Sequence, residues 1–191
     1  MILSSKVSVE FAERVQNIAT RLKVDVNHLM AVIAFETANT FAADICNGGK
    51  RWSALTGLER QHKAVGLIQF MPNTARILGT SSELLAGMKP EQQLYYVEKF
   101  FEPAHGRLQT IEDLYMWVLW PRAVGKSSDY VLFRRPSQTY EQNKGLDINN
   151  DGLITKQEAS ARVRKIYERG LTEKQEEKNS GYSSRLNDQV C

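Results

Sequence analysis

Val26-Asn27-His28-Leu29-Met30-Ala31-Val32-Ile33-Ala34-Phe35-Glu36 is apolar on every side from Leu29 to Phe35 and then ends on an acid. A helix with no polar face belongs at the centre of a core, with other helices packed around it. Upstream, Phe11, Val15, Ile18 and Leu22 recur at helical spacing, with Glu13, Arg14, Gln16 and Asn17 on the other face. They predict a half-exposed first helix. Downstream, residues 39 to 63 are rich in Gly, Asn, Ser and charge and read as a long loop or lobe with little regular structure. Pro90 and Glu91 open another helix, with Leu94, Tyr95, Val97, Phe100 and Phe101 as its apolar positions. Thr110 and Asp113 resemble a cap for a further helix through Leu114, Tyr115, Trp117, Val118 and Leu119 that stops before Pro121. The count is about five or six helices before residue 122. Tyr130 to Phe133 is a short extended candidate, and no alternating run is long enough for a sheet core. The fold class is mainly α.

The 191 residues, 42% hydrophobic and 25% charged, describe one ordinary globular domain with a small appendage. A net charge of +3 with no run of Lys or Arg gives no nucleic-acid arm. The longest apolar run, Leu29 to Phe35, covers about two helical turns and is too short to span a bilayer. Met1-Ile2-Leu3-Ser4-Ser5 has neither the basic nor the apolar part of a secretory signal. Cys46 and Cys191 lie far apart without metal-type neighbours and read as free thiols, an intramolecular bridge being the alternative.

A second motif is Asp147-Ile148-Asn149-Asn150-Asp151-Gly152-Leu153-Ile154-Thr155-Lys156-Gln157-Glu158. Asp147, Asn149, Asp151 and Glu158 stand at positions 1, 3, 5 and 12 of an EF-hand-like loop with Gly152 at position 6, and Leu153 offers its backbone carbonyl at position 7. This predicts a Ca2+ site. Position 9 supplies the Thr155 hydroxyl or a water, and Ile154 packs inward. Sensors that open a hydrophobic groove usually pair such loops, so a single loop favours a structural role. Residues 159 to 169 read as the exiting helix. Beyond Leu171 the chain carries too little apolar surface to offset its ordering entropy, which predicts a mobile tail over 171–191.

Glu36 is the residue most suited to chemistry. A carboxyl closing an apolar helix is partly desolvated, and desolvation raises its pKa toward the range a general acid needs. About thirty residues on stands Ala64-Val65-Gly66-Leu67-Ile68-Gln69-Phe70-Met71-Pro72-Asn73-Thr74-Ala75. This run resembles the Gly-Leu-Met-Gln-x-x-Pro-x-Thr-Ala signature of the soluble-type lytic transglycosylases and goose-type lysozymes. In that family the catalytic glutamate closes an apolar helix and is followed by Ser or Thr and then Phe, the places that Glu36, Thr37 and Phe41 occupy here, with a slightly longer spacing to the Phe. The resemblance covers about residues 8 to 125 and, with the calcium loop, is nearest to phage-encoded and effector-type members. Tyr115-Met116-Trp117-Val118-Leu119-Trp120-Pro121 departs from the family's Ala-Tyr-Asn-Ala-Gly-like segment and lacks its asparagine.

The resemblance implies a lysozyme-like catalytic domain over 1–135 and an EF-hand-like calcium segment over 136–170. It implies peptidoglycan glycan strands as substrate and Glu36 as acid/base, with Gln69, Thr37, Phe41, Gly66 and Tyr115 as candidate substrate contacts. Gln69 offers an amide donor and acceptor, Gly66 permits close backbone approach, and Tyr115 or Trp120 offers a ring to stack on a sugar. The implied product is a 1,6-anhydro sugar made by one carboxylate. Hydrolysis, as in a lysozyme, needs a second acid, for which Asp44 and Glu59 are the candidates. A calcium-dependent module that grips peptidoglycan without cutting it is the rival from another class, and a calcium sensor acting on a partner helix is a weaker one. The expected partners are the glycan strand and a delivery machine or immunity protein, with no nucleic acid and no membrane insertion. The expected route is synthesis in the cytoplasm and delivery to the cell wall as a phage endolysin, a tail component or a secreted effector.

Overall fold

The structure, a computed structural model, describes residues 1–187. It is mainly helical, with nine α-helices and one two-stranded antiparallel sheet among the described residues. Helix α1 (Val9–Leu22) is capped by Ser8, whose hydroxyl accepts from the Phe11 amide, and closes on Lys23 in the left-handed region. Asp25 caps α2 (Val26–Glu36) by accepting from the Asn27 amide. Leu29 to Ala34 are all buried, because α1, α7 (Ile111–Leu119) and α9 (Lys156–Asn187) pack around α2. The all-apolar stretch is thus the central helix that its sequence predicts.

Between α2 and α7 lie α3 (Gly57–Arg60), α4 (Pro72–Ile77), α5 (Ser82–Ala86) and α6 (Pro90–Phe101). The segment from 39 to 63 holds only a 3-10 turn at Trp52–Ala54 and α3, tied down by isolated bridges from Ile45 to Arg51 and from Cys46 to Val65. Helix α6 begins at Pro90 as expected, but it buries Gln93, Leu94, Val97 and Phe101, while Tyr95 faces solvent. Thr110 caps α7, its hydroxyl accepting from the Asp113 amide.

Strands β1 (Val131–Arg134) and β2 (Leu153–Thr155) pair antiparallel, with Val131 opposite Thr155 and Phe133 opposite Ile154. Helix α8 (Gln138–Asn143) lies between them in sequence. Ile154 is fully buried, as its place in the loop predicts, and Phe133, Tyr140, Ile154, Ala159 and Val163 share one core with Leu29 and Met30. One buried ion pair crosses the same junction: Lys156 Nζ donates to Asp113 Oδ1 at 2.6 Å and to the Lys126 carbonyl at 2.8 Å.

Helix α9 differs from expectation at both ends. It starts at Lys156 rather than 159 and continues to Asn187, through residues expected as a mobile tail. Poor apolar content argues against docking onto a core but leaves local helicity untouched. Glu, Lys, Gln and Arg are good helix formers, and Arg164–Glu168 and Arg169–Glu173 pair one turn apart. The rest of the expected tail, 188–191 with Cys191, lies outside the described residues. No helix among the described residues is long and apolar enough to cross a membrane.

Candidate active site

Glu36, the last residue of α2, lines a cleft of about 430 Å3. Phe35, Thr37 and Ala38 border it on one side, the chain from Ile45 to Gly49 on another, and Ala64, Gln69 and Met71 beyond. Tyr115, Val118 and Leu119 of α7 close the remaining wall. Glu36 keeps part of its surface on the cleft, yet desolvation lifts its carboxyl from 4.5 to about 8. No hydrogen bond or ion pair to that carboxyl occurs among the described residues. The helix C-terminus, where carbonyls carry partial negative charge, opposes ionisation further.

The turn after Glu36 is strained and tightly bonded. Ala38, Asn39 and Phe41 have φ of 49°, 63° and 53°, conformations that side chains with a Cβ adopt at a cost of roughly 1–3 kcal/mol each. Thr37 holds this turn: its buried hydroxyl donates to the Ile33 carbonyl at 2.7 Å and accepts from the Phe41 amide at 3.1 Å. Thr37 therefore reaches the cleft border with its hydroxyl engaged by the backbone. Phe41 does not line the cleft at all. It is 4% exposed and packs edge-on against Phe11, 6.0 Å between ring centroids, so its expected substrate contact is corrected to a core contact.

Gln69 lies in the cleft wall with φ of 52°. Its Nε2 donates to the Ile45 carbonyl at 3.1 Å and the Gly66 carbonyl at 3.0 Å, and its buried Oε1 has no partner. Both amide donors are thus spent on the backbone and Oε1 is buried, whereas the sequence suggested a donor and an acceptor free for a ligand. Gly66 is also corrected: it is buried and absent from the cleft lining, and the space its missing Cβ would fill is taken by the Gln93 amide. Tyr115 lines the cleft and packs edge-on against Phe35 at 5.3 Å. Desolvation, with the nearby Glu36 charge second, holds its phenol well above the usual value, so it stays a neutral hydrogen-bond donor. Trp120 packs instead against Phe133 at 5.1 Å.

Neither candidate second acid lines the cleft. Asp44 pairs with Arg51. Glu59 caps α3, accepting from the Thr56 amide at 2.8 Å, and meets Lys50 at 3.2 Å; the Thr56 amide bond and then the Lys50 contact hold it down at about 2. Among the residues lining the cleft, Glu36 is the one carboxylate. Cys46, a buried free thiol, also borders the cleft, and burial pushes its thiol up.

Sequence reasoning missed several parts of this cleft. The exposed rim Asn47-Gly48-Gly49 was legible only as a loop, although both glycines adopt positive φ. Val118 and Leu119 read as core positions of α7. Gln93, fully buried beneath the Gly66 turn, was hidden because a polar residue in an amphipathic pattern reads as a solvent position.

In the loop from Asp147 to Glu158, Asp147 Oδ2 accepts from the Tyr140 hydroxyl at 2.6 Å and the Gly152 amide at 3.0 Å. That hydroxyl bond, above all, holds the Asp147 carboxyl below its usual range, while Oδ1 is buried without a partner. Asn149 Oδ1 and Asp151 Oδ1 accept from the amides of Asp151 and Leu153. Glu158 folds back, with Oε1 accepting from the Ile148 amide and Oε2 from the Thr155 amide. Among the described residues no three His, Cys, Asp or Glu side chains converge as a metal cluster. A hard cation would draw also on Asn149 and the Leu153 carbonyl. The all-oxygen donor set and the orphaned Asp147 Oδ1 fit such an ion.

Compared with protein-family models, characterised proteins and solved structures, the chain matches none.

Proposed function

We propose that this chain is a lysozyme-like peptidoglycan-degrading enzyme that cleaves the β-1,4 bond between N-acetylmuramic acid and N-acetylglucosamine. One observation carries the reading: a single desolvated carboxyl, Glu36, lies in a cleft otherwise lined by neutral groups that suit a sugar. At neutral pH Glu36 holds its proton and delivers it to the glycosidic oxygen as the C1–O bond breaks. The resulting carboxylate takes the proton of the C6 hydroxyl while that oxygen closes onto C1, leaving a 1,6-anhydro end and restoring the acid. Gln69 shapes the cleft wall against the sugar, and Tyr115 donates to a sugar oxygen. With Asp44 and Glu59 bound elsewhere, the cleft favours this one-carboxylate lytic transglycosylase route over hydrolysis.

In this reading residues 1–135 carry the catalysis and 136–170 the calcium loop. Ca2+, held by Asp147, Asn149, Asp151, the Leu153 carbonyl and Glu158, supplies folding energy there rather than chemistry. The substrate of this reading lies in the cell wall, and a phage or secretion machine is the proposed route to it. The reading is tested by release of soluble fragments from purified peptidoglycan. Wild type is expected to release them, and Glu36→Gln to lose at least about 100-fold in rate, the scale of a general acid. Retained binding with no release by either protein would favour the non-catalytic module.

A further inference from the structure

Gln93 is fully buried, and its amide is bonded on both sides. Its Nε2 donates to the Ala43 carbonyl at 3.0 Å and the Leu85 carbonyl at 2.9 Å, and its Oε1 accepts from the Leu67 amide at 2.6 Å. Three chain segments are thereby joined by one side chain. Two of them run directly into residues that line the cleft. Ala43 leads to Ile45, Leu67 follows Gly66, and the Gly66 amide donates to the Ile45 carbonyl at 2.8 Å. The carbonyls of Ile45 and Gly66 are the pair that fixes the amide of Gln69, a residue of the cleft wall. A Cβ on Gly66 would lie 2.2 Å from Gln93 Oε1, so glycine is required there to admit the clamp. None of the Gln93 side-chain bonds goes to α2, which carries Glu36.

From this arrangement we infer that Gln93 is a positioning residue that sets substrate affinity by holding Gln69 in register, separately from the acid on α2. Gln93 also serves stability, since an apolar residue there strips the Leu67 amide and the Ala43 and Leu85 carbonyls of their Gln93 partner, so the inference is read from KM and not from melting. The inference rests on the proposed peptidoglycan-cleaving reading for its substrate.

The test is Gln93→Met, which keeps the volume and loses the amide. The expected result is KM raised about tenfold, kcat within about threefold of wild type, and the basic limb of the pH profile unchanged. In a Gln69→Ala background the same change is expected to add less than about twofold. An unchanged KM in folded Gln93→Met, or full additivity with Gln69→Ala, would overturn the inference. Should Gln93→Met fail to fold, amide exchange on Glu36→Gln, which keeps the Gln93 clamp and does not consume the probe, decides. Addition of a soluble tetrasaccharide of alternating N-acetylglucosamine and N-acetylmuramic acid is expected to slow exchange at Leu67 and Gln69, and no slowing there counts against the clamp. This measurement needs binding but no turnover, so loss of the cleavage reading would show separately, as absence of product from wild type.

Discussion

At the scale of the residue, the account turns on the proton of Glu36. An acid whose folded pKa is about 8 and whose ordinary value is 4.5 binds more protons in the folded state than in the unfolded state between those values. Activity that uses the protonated form is therefore expected to fall as pH rises through about 8, a basic limb read from kcat/KM. Stability follows the same sign: the contribution of Glu36 is full below pH 4.5 and is lost progressively as pH rises to about 8. Glu36→Gln removes the titration. It is expected to melt at least about 2 °C above wild type at pH 8.5, with the gap closing toward pH 4.5. A constant gap across that range would assign Glu36 an ordinary, solvated carboxyl. The position of this acid was legible in the sequence, because seven apolar neighbours in a row leave a terminal glutamate little water. Its isolation was not, since the ion pairs of Asp44 and Glu59 depend on how residues 39–63 fold back on themselves.

At the scale of the element, α2, α7 and α9 are the parts that place the site, and the first two were readable from apolar periodicity and from the Thr110 cap. The turn from Thr37 to Phe41 was not. Its positive φ values fall on Ala38, Asn39 and Phe41, where no glycine signals a left-handed backbone. Nor was the Asp113–Lys156 pair legible, because it joins residues 43 apart whose meeting depends on α9 returning across α7. Both side chains are nearly buried, 12% and 4% exposed, and Asp113 also accepts from the Gly125 amide at 2.7 Å. Truncating Asp113 leaves a buried ammonium unpaired, a loss of roughly 3–5 kcal/mol. Asp113→Ala is thus expected to lower the unfolding free energy in urea by that order. Asp113→Ala/Lys156→Met should recover most of the loss, and failure to recover it would mean the pair does not act as a unit.

At the scale of the whole molecule, one core runs from α2 into the proposed calcium loop through Phe133, Ile154 and Val163. An ion bound at Asp147 therefore stabilises the same cooperative unit that holds Glu36. Calcium at 100 times its Kd is expected to raise the unfolding free energy by about 2.7 kcal/mol, and Asp147→Ala to abolish the rise. A melting temperature indifferent to calcium would remove the ion from the account. Cleavage by one carboxylate is checked by digesting purified peptidoglycan in 18O-labelled water and weighing the soluble products. The expected products are 1,6-anhydro ends, lighter by one water and free of the label, from wild type and none from Glu36→Gln. Reducing ends carrying one 18O atom would contradict one-carboxylate cleavage, because they require an activated water and a second group to activate it.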